Sequence, residues 1–400
     1  MLVHNTSRLV AKMKMCSSKK VWDSENNALK KQKSEETKDK CCNQYLIYDV
    51  LRLIFKYLNA RELSNASMVC RSWSEAANNE KHTRGPMCLI ESTTVPEDAD
   101  YRKDIKIEII KKLRIKPSLG LLFIPEVFIP CFTNTDCYCK ALPSNCSTIT
   151  LVTHGIIMDD KEFEEDLEHF IGVFLPDLPN LRIKPISFTD NVIYDIDWLS
   201  ESQRRDIKKI KSVFNTPAKG RGISKCLLLF CNWRGRRTAL KVAYALRKCY
   251  KSNELPVWGG VAKYGNICNA KDSKSITFEV SFCTAIPLVG PFDTWSLIID
   301  KTHNTKERVE QRMKLFRNRI CLKRHSIGLM FACCARGKNM FQESNVESSI
   351  FKKLFPTVPL AGCFGDGEFG TNKILNEPPD NKRKSWYKEI STVFLIITYD

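Results

Sequence analysis

The sequence is poor in histidine and has no long apolar run. It contains no stretch of about eighteen consecutive apolar residues, so no transmembrane helix and no membrane partner are predicted. The N-terminus lacks a compact apolar segment with a small-residue cleavage site, which argues against secretion. The 6 histidines never fall at H-x-x-x-H or H-E-x-x-H spacing, and we interpret His154, His303 and His325 as structural or exposed residues.

The overall composition is that of a globular protein. Hydrophobic residues make up 43% and aromatic residues 10% of the 400 residues, enough for two or three domains with substantial cores. The chain also holds 18 cysteines. Because no secretion signal is predicted, we interpret these as reduced thiols and expect a cytoplasmic and nuclear protein.

The chain is basic, with a formal net charge of +18. Residues 1–43 are rich in Lys, Ser and Asn and are predicted to be a disordered basic arm. The remaining positive charge is scattered in pairs such as Arg236-Arg237, a pattern typical of a solvated surface. Nucleic acid is therefore not predicted as a partner, and steep salt-dependent binding of DNA would be the mark of that third hypothesis.

Residues 45–73 contain an amphipathic helical pattern followed by a short turn and a second apolar group. The spacing predicts one apolar helix face, which is also what an ordinary surface helix of a larger domain would show. The apolar residues of this segment are Leu46, Val50, Leu51, Ile54, Phe55, Leu58, Leu63, Val69 and Trp73.

The order of these residues resembles an F-box. The matching elements are Ile54-Phe55-x-Tyr57-Leu58, then Leu63, then Val69-Cys70-Arg71-x-Trp73, and the module is placed at residues 44–84. One departure is that Ile47 follows Leu46, where an F-box usually has proline. The resemblance implies docking onto the Skp adaptor of a cullin-RING ubiquitin ligase. It implies the nine apolar residues named above as the adaptor-binding set.

The C-terminal half contains a weak internal duplication of a β-α-β-β pattern. In the first predicted copy, a strand at 226–235 ends in Arg-Gly and is followed by a helix at 238–250, a strand at 255–260 and a closing strand at 276–282. The second copy repeats this order with a strand from 327, a helix at 344–355, and strands at 358–363 and 392–398. Further buried strands are predicted at 119–124 and 147–152, and loops at 131–146 and 190–222.

The second copy resembles the C-terminal part of a FIST domain, through SIGLMFACCARG and FKKLFPTVPLAGCFGDGEFG. The resemblance implies a FIST N-terminal part at 105–283 and a C-terminal part at 284–400. The predicted fold class is α+β: a small all-α F-box module followed by a large α/β FIST-like domain with two pseudo-repeated halves. The candidate ligand or substrate cleft comprises Cys333, Arg336, Gly365, Asp366, Gly367 and Glu368.

Residues 365–370 also satisfy G-x-G-x-x-G, the pattern of a dinucleotide site. That chemistry needs a helix after the glycines, but Pro378-Pro379 follow too soon, and the acidic Asp366 and Glu368 would repel phosphate. We predict a strand-to-strand turn instead, whose two carboxylates could hold an amine or a basic side chain of a partner.

Two cysteine patterns raise further hypotheses. A cluster of Cys131, Cys137, Cys139 and Cys146 could bind zinc, but its C-x-C spacing fits poorly, so a reduced loop is preferred and no metal or cofactor is predicted. Arg336 could lower the pKa of Cys333, although a buried structural thiol is the favoured interpretation.

The predicted function is that of a substrate-recognition subunit in a Skp-cullin-F-box ubiquitin ligase, which binds target proteins and forms no bond itself. No RING pattern of Cys and His is present, so transfer would fall to other subunits. The alternative is an intracellular small-ligand sensor with a degenerate F-box, which the missing Leu-Pro start favours.

Overall fold

The structure is a computed structural model that describes residues 48–92, 109, 111–129, 142–164, 168–188, 199–216, 222–250, 254–269, 282–373 and 385–400. The chain forms two compact units. We call them the helical unit, with described residues 48–84 and 111–115, and the sheet unit, which holds the other described residues.

The helical unit contains three helices: α1, Tyr48–Phe55; α2, Ala60–Ala66; and α3, Arg71–Thr83. A capping box starts α2, because Asn59 Oδ1 accepts from Glu62 N at 2.9 Å and Asn59 N donates to Glu62 Oε2 at 3.0 Å. This box stabilises the sharp turn between α1 and α2.

The helices of this unit enclose a small apolar core. Phe55 and Trp73 meet edge to face with ring centroids 5.3 Å apart. The other buried members are Leu51, Leu58, Leu63, Ala66, Ala76 and Ala77. Most apolar residues of the F-box-like pattern thus belong to this one core.

A distant segment completes the helical unit. Residues 111–115 belong to it, and Ala60 N donates to Leu113 O at 2.8 Å. The predicted domain boundary at 105 had assigned this segment to the large domain. The difference arises because a hydrogen bond to a remote segment leaves no mark in local periodicity.

The sheet unit contains eighteen strands in its described residues. They are β1 Met87–Ser92, β2 Pro117–Ile124, β3 Ser147–Val152, β4 Gly155–Met158, β5 Lys161–Phe163, β6 His169–Pro176, β7 Arg182–Ile183, β8 Ile186–Ser187, β9 Ser224–Asn232, β10 Val257–Ala262, β11 Tyr264–Asn269, β12 Cys283–Gly290, β13 Asp293–Ile299, β14 His325–Cys333, β15 Leu360–Gly365, β16 Glu368–Gly370, β17 Tyr387–Lys388 and β18 Thr392–Tyr399. Its helices are α4 Glu201–Asn215, α5 Arg236–Arg247, α6 Lys306–Arg317, α7 Gly337–Phe341 and α8 Val346–Leu354.

The strands form three mixed sheets. Their orders are β1-β6-β2-β3-β11, β17-β16-β10-β9-β12-β7 and β13-β18-β14-β15-β4-β5, with β8 also pairing β12. A large mixed α/β unit beside a small helical one confirms the predicted α+β class.

The two predicted repeats are present, and their strands pair alike. In the first, β10 is parallel to β9 and β12 is antiparallel to it. In the second, β15 is parallel to β14 and β18 is antiparallel to it. The closing strand of the first repeat is β12 rather than the predicted 276–282, most of which lies outside the described residues.

One more copy precedes these two, so the organisation is threefold rather than twofold. Counted along the chain, this copy is the first, and the two predicted repeats are the second and third. Strand β3 is parallel to β2, and β6 is antiparallel to β2. Equivalent phenylalanines from the first strand of each copy, Phe123, Phe230 and Phe331, surround Trp258 with centroid distances of 6.5, 5.6 and 6.1 Å. This copy was not predicted from the sequence, because no helical pattern marks the chain between its first two strands.

Each copy passes one strand to a neighbouring sheet. Strand β4 pairs with β15, β11 pairs with β3, and β16 pairs with β10, all antiparallel. The exchange is cyclic, so the three copies interlock and bury a common apolar core.

Helix α4 lies within the predicted loop 190–222. Ser200 and Gln203 form a capping box, and Ile207, Ile210 and Phe214 face the core at helical spacing. That segment prediction was wrong because its capping and apolar pattern were overlooked among the charged residues. No helix in the described part of the chain combines the length and apolar character needed to cross a bilayer.

Candidate functional site

Helix α1 carries a second apolar face that points away from the core. Val50, Leu53 and Ile54 of α1 and Tyr57 in the turn that follows it recur at helical spacing, and we call them the α1 stripe. Ile54 also packs against the core, so the outward-facing members are Val50, Leu53 and Tyr57. Leu53 is 58% exposed and Tyr57 79% exposed, while Ile54 is half-buried. A contiguous row of exposed apolar side chains on a small unit is typical of a docking surface.

The structure divides the predicted adaptor-binding residues into two groups. Leu51, Phe55, Leu58, Leu63 and Trp73 are buried in the core of the helical unit, so they shape it rather than contact a partner directly. Val50 is exposed, and Ile54 and Val69 are half-buried. Leu46 lies outside the described residues. The predicted adaptor-binding set omitted Leu53 and Tyr57, although their spacing of three and seven residues from Val50 carried the signal.

The sheet unit brings polar residues together where its parallel strands end. Each copy contributes two equivalent positions there, and we call the whole group the strand-end cluster. Its members are Glu126 and His154 from the first copy, Trp233 and Lys263 from the second, and Cys334 and Asp366 from the third. The carboxyl ends of parallel strands are the usual place for binding sites in α/β sheets.

In each copy, the cluster residue that follows the second strand is held by a backbone hydrogen bond to a neighbouring copy. His154 N donates to Phe364 O at 3.1 Å, Lys263 N to Val152 O at 2.9 Å, and Asp366 N to Val261 O at 2.9 Å. The three side chains are therefore positioned by strand pairing, not by a flexible connection.

Two side chains of the cluster converge on one carboxylate oxygen. Asp366 Oδ1 lies 2.8 Å from His154 Nε2 and 3.7 Å from Cys334 Sγ. The close imidazole of His154 lowers the pKa of the Asp366 carboxyl. Beside them, Lys263 Nζ forms an ion pair with Glu126 Oε2 at 2.9 Å. Half-buried charges of both signs are thus concentrated here.

The two adjacent cysteines have opposite properties. A hydrogen bond with Cys333 lowers the pKa of Cys334, whereas the same bond and burial raise the pKa of Cys333. Cys333 is buried and Cys334 is half-buried beside the cluster. The hydrogen bond with Cys334 and burial both favour the neutral thiol of Cys333, so these directions give no support to the hypothesis that Arg336 makes Cys333 reactive.

Arg336 is fully buried and has no donor to spare. Two of its N–H groups bind Glu347, at 3.1 and 2.9 Å, and the others donate to the carbonyl oxygens of Asp300, His303 and Ile390. All five guanidinium donors are used. Arg336 is thus a structural tie between loops and not a cleft residue that could bind a ligand.

Glu368 is also unsuited to holding a basic partner. It is fully buried, and its Oε2 accepts from Ser391 N at 3.0 Å and Ser391 Oγ at 2.7 Å. Burial raises its pKa well above the ordinary value, which favours the uncharged carboxyl. Of the two predicted acidic residues, only Asp366 is accessible.

The glycine-rich segment forms the predicted strand-to-strand turn. Gly365 ends β15 and Glu368 starts β16, so the described residues from the glycines to Lys373 contain no helix that could bind a pyrophosphate, and the dinucleotide alternative gains no support. Gly367 has φ of +155°, and a Cβ there would lie 2.4 Å from the Tyr387 hydroxyl oxygen. Glycine is needed at this position for both reasons.

The cysteines give no support to the zinc alternative at 131–146. Cys131, Cys137 and Cys139 lie outside the described residues, and burial raises the pKa of Cys146 to about 12. Most described cysteines are free thiols, as predicted, but Cys268 is disulfide-bonded.

The helical unit matches a known protein family. Residues 48–84 match the F-box-like family, which covers all three helices and ends where the unit's continuous part ends. Over 75 residues the chain is 37% identical to the F-box/LRR-repeat protein At5g63520 of Arabidopsis thaliana, covering 18% of this chain and 14% of that protein.

A longer likeness includes the sheet unit. The chain is 21% identical over 358 residues to F-box only protein 22 of Pongo abelii and of Homo sapiens, covering 82% of this chain and 85% of each relative. Among solved structures, a cyanuric acid hydrolase from A. caulinodans covers 78% of this chain and 99% of its own at a TM-score of 0.34 and 9% identity.

The chain thus carries an F-box-like module and resembles an F-box protein over most of its length. These findings support a substrate-adaptor role in a Skp-cullin-F-box complex. The FIST resemblance stays a prediction, as do the individual site residues.

Proposed function

We propose that this chain is a substrate-recognition subunit of a Skp-cullin-F-box ubiquitin ligase, in which the α1 stripe binds the Skp adaptor. The observation that carries the proposal is the stripe itself, which exposes Leu53 and Tyr57 on the module matched as F-box-like. Apolar side chains of this size stay exposed at a cost in solubility, and binding to an apolar adaptor groove would bury them.

The chemistry of the complex would then be proximity. The chain forms no bond, but it holds a target protein so that its lysines meet the ubiquitin thioester at high effective concentration. The partners are the adaptor, the cullin-RING ligase and target proteins, and the complex is placed in the cytoplasm and nucleus.

Target binding is assigned to the sheet unit. On its surface the Arg236 guanidinium stacks 4.8 Å from the rings of both Trp233 and Tyr387, and Trp233 is 65% exposed. Trp, Tyr and Arg are the residues that most often dominate protein interfaces. Capture of targets from cells treated with a proteasome inhibitor should weaken for Trp233→Ala, while the amount of bound adaptor stays unchanged.

Adaptor binding is tested with the full chain and purified Skp adaptor. The double variant Leu53→Ser, Tyr57→Ser should bind at least about thirtyfold more weakly, the loss expected for removing central apolar contacts. Calorimetry measures the affinity, and circular dichroism verifies that the helices persist.

Arg61→Ser is the matched control, because Arg61 is an exposed residue of α2 outside the stripe. It should bind the adaptor as the parent chain does. Equal affinity of the parent and the double variant would refute the proposal. The sensor alternative, with a degenerate F-box and a small-ligand cleft, would then take its place.

A further inference from the structure

The strand-end cluster contains three side chains of the kinds that bind transition metals. His154 lies at the end of β3, Cys334 follows β14, and Asp366 follows β15. One ligand atom from each lies within 4.8 Å of the others, and all three side chains are half-buried. They come from the first and third copies of the sheet unit.

The distances suit a tetrahedral ion. Bonds of about 2.3 Å to sulfur and about 2.1 Å to oxygen at a tetrahedral angle place those two ligands about 3.6 Å apart. Cys334 Sγ and Asp366 Oδ1 are 3.7 Å apart. The 2.8 Å between His154 Nε2 and Asp366 Oδ1 is shorter than the corresponding ~3.4 Å edge, so the two groups would separate by about half an ångström on binding.

Hydrogen bonding does not account for the position of His154. Its Nε2 is buried and has no hydrogen-bond partner among the described residues, and its contact with Asp366 Oδ1 at 2.8 Å is an ion pair. The pair formed by His303 and Asp300 provides a contrast. There Nδ1 and Oδ1 are 2.9 Å apart and do form a hydrogen bond.

The charges are also balanced for a divalent cation. An ionised Cys334 and Asp366 carry two negative charges, and the nearby Lys263 is paired with Glu126 at 2.9 Å. A thiolate, an imidazole and a carboxylate together favour zinc over magnesium or calcium, which prefer oxygen ligands alone. Three protein ligands at a half-buried site leave a fourth position for water or another donor.

We propose that His154, Cys334 and Asp366 bind a zinc ion that cross-links the first and third copies of the sheet unit. The ion lies where strand β4 of the first copy pairs with strand β15 of the third, and it connects these two copies. It therefore stabilises the folded unit, and its fourth position can accept a donor atom from a bound molecule.

The experiment uses the full chain, purified without chelator, and elemental analysis for zinc. The parent chain should hold about one equivalent of zinc, and Cys334→Ser and Asp366→Asn should lose most of it. Replacement with Co²⁺ should give a thiolate-to-cobalt absorption band that disappears in Cys334→Ser.

Cys321→Ser and Asp300→Asn are the matched controls, since each removes an equivalent group away from the cluster. Both should retain the metal and the cobalt band. A chelator should lower the melting temperature of the parent chain and of both controls, but not that of Cys334→Ser. A parent chain that takes up neither metal, or a cobalt band that persists in Cys334→Ser, would overturn the assignment.

Discussion

The helical unit and the sheet unit place their apolar and charged residues in opposite ways. The helical unit has a small apolar core and leaves Leu53 and Tyr57 exposed on its surface. The sheet unit buries Arg336, Glu347 and Glu368 and collects polar side chains at its strand ends. Substitutions should therefore act differently in the two units, on an exposed apolar surface in the first and on buried ionisable residues in the second.

Each unit also uses a buried arginine to tie chain segments together, but with different strength. In the helical unit, Arg84 Nε lies 3.0 Å from Glu80 Oε1, and Arg84 also donates to the carbonyl oxygens of Phe55 and Arg114. In the sheet unit, Arg336 makes two contacts with Glu347 and three with carbonyl oxygens. Mutations can test whether this difference governs stability.

The largest effect is expected for Arg336→Met. Removing one partner of a buried ion pair leaves Glu347 uncompensated, and three carbonyl oxygens lose a donor. The free energy of unfolding of the sheet unit should fall by at least about 5 kcal/mol. Chemical denaturation measures it, and Arg336→Met combined with Glu347→Leu should recover part of the loss. If Arg336→Met lowered the free energy of unfolding less than Arg84→Met does, Arg336 would not be the stronger of the two ties.

The next largest effect concerns the core of the helical unit. Phe55→Ala removes a fully buried ring that packs against Trp73, so it should destabilise the unit by about 3 to 5 kcal/mol. Helical circular dichroism of the variant should show loss of the module, with loss of adaptor binding as a consequence. A variant that keeps its helices and yet loses the adaptor would place Phe55 in the interface instead.

A third prediction is a pH dependence in the sheet unit. Burial and the nearby Glu347 charge raise the pKa of Glu162 from 4.5 to about 7. A raised folded-state pKa means that stability is highest below the unfolded-state pKa and is lost as the pH rises through 7. The loss should total about 3 kcal/mol between pH 4.5 and pH 8.

Glu162→Gln mimics the neutral carboxyl and should remove this dependence. Denaturation at pH 5 and pH 8 measures it, and the variant should exceed the parent chain in stability only at pH 8. Glu389→Gln is the control, because that carboxyl is exposed. Parallel pH profiles of the parent chain and Glu162→Gln would contradict the prediction.

The smallest effect on stability is expected at the α1 stripe. Leu53→Ser changes a side chain that is 58% exposed, so the free energy of unfolding should change by no more than about 0.5 kcal/mol. Thermal melts measure it beside the adaptor affinity. A large loss of stability would show that Leu53 packs against the folded unit, and the stripe could then no longer be described as a surface that serves adaptor binding alone.

Much of the fold could be predicted because its signals are local. Strand β3 coincides with the predicted 147–152, and α5 and α8 differ from the predicted helices by a few residues at their ends. The first copy carried the same signal, since Leu121-Leu122-Phe123 matches Leu228-Leu229-Phe230, but no predicted helix marked it. Threefold organisation also requires the strand exchange, and pairing between distant strands leaves no periodic trace.

The candidate sites could be predicted less well. The F-box-like pattern identified the module but not which face of α1 is exposed, because both faces are apolar and both follow helical spacing. In the sheet unit, the pattern around Cys333 and Glu368 named residues that are buried, while Asp366 was the accessible one.

The amino-acid order alone defines a small helical module, repeated strand-helix-strand units and the lack of an apolar run of about eighteen residues, since each depends on neighbours within a few turns or strands. The folded chain was needed to bring His154 beside Asp366, which lies more than two hundred positions further along. Strand exchange causes that meeting, and its register depends on how the three copies pack around Trp258. Such packing is a property of the whole core and of no single segment.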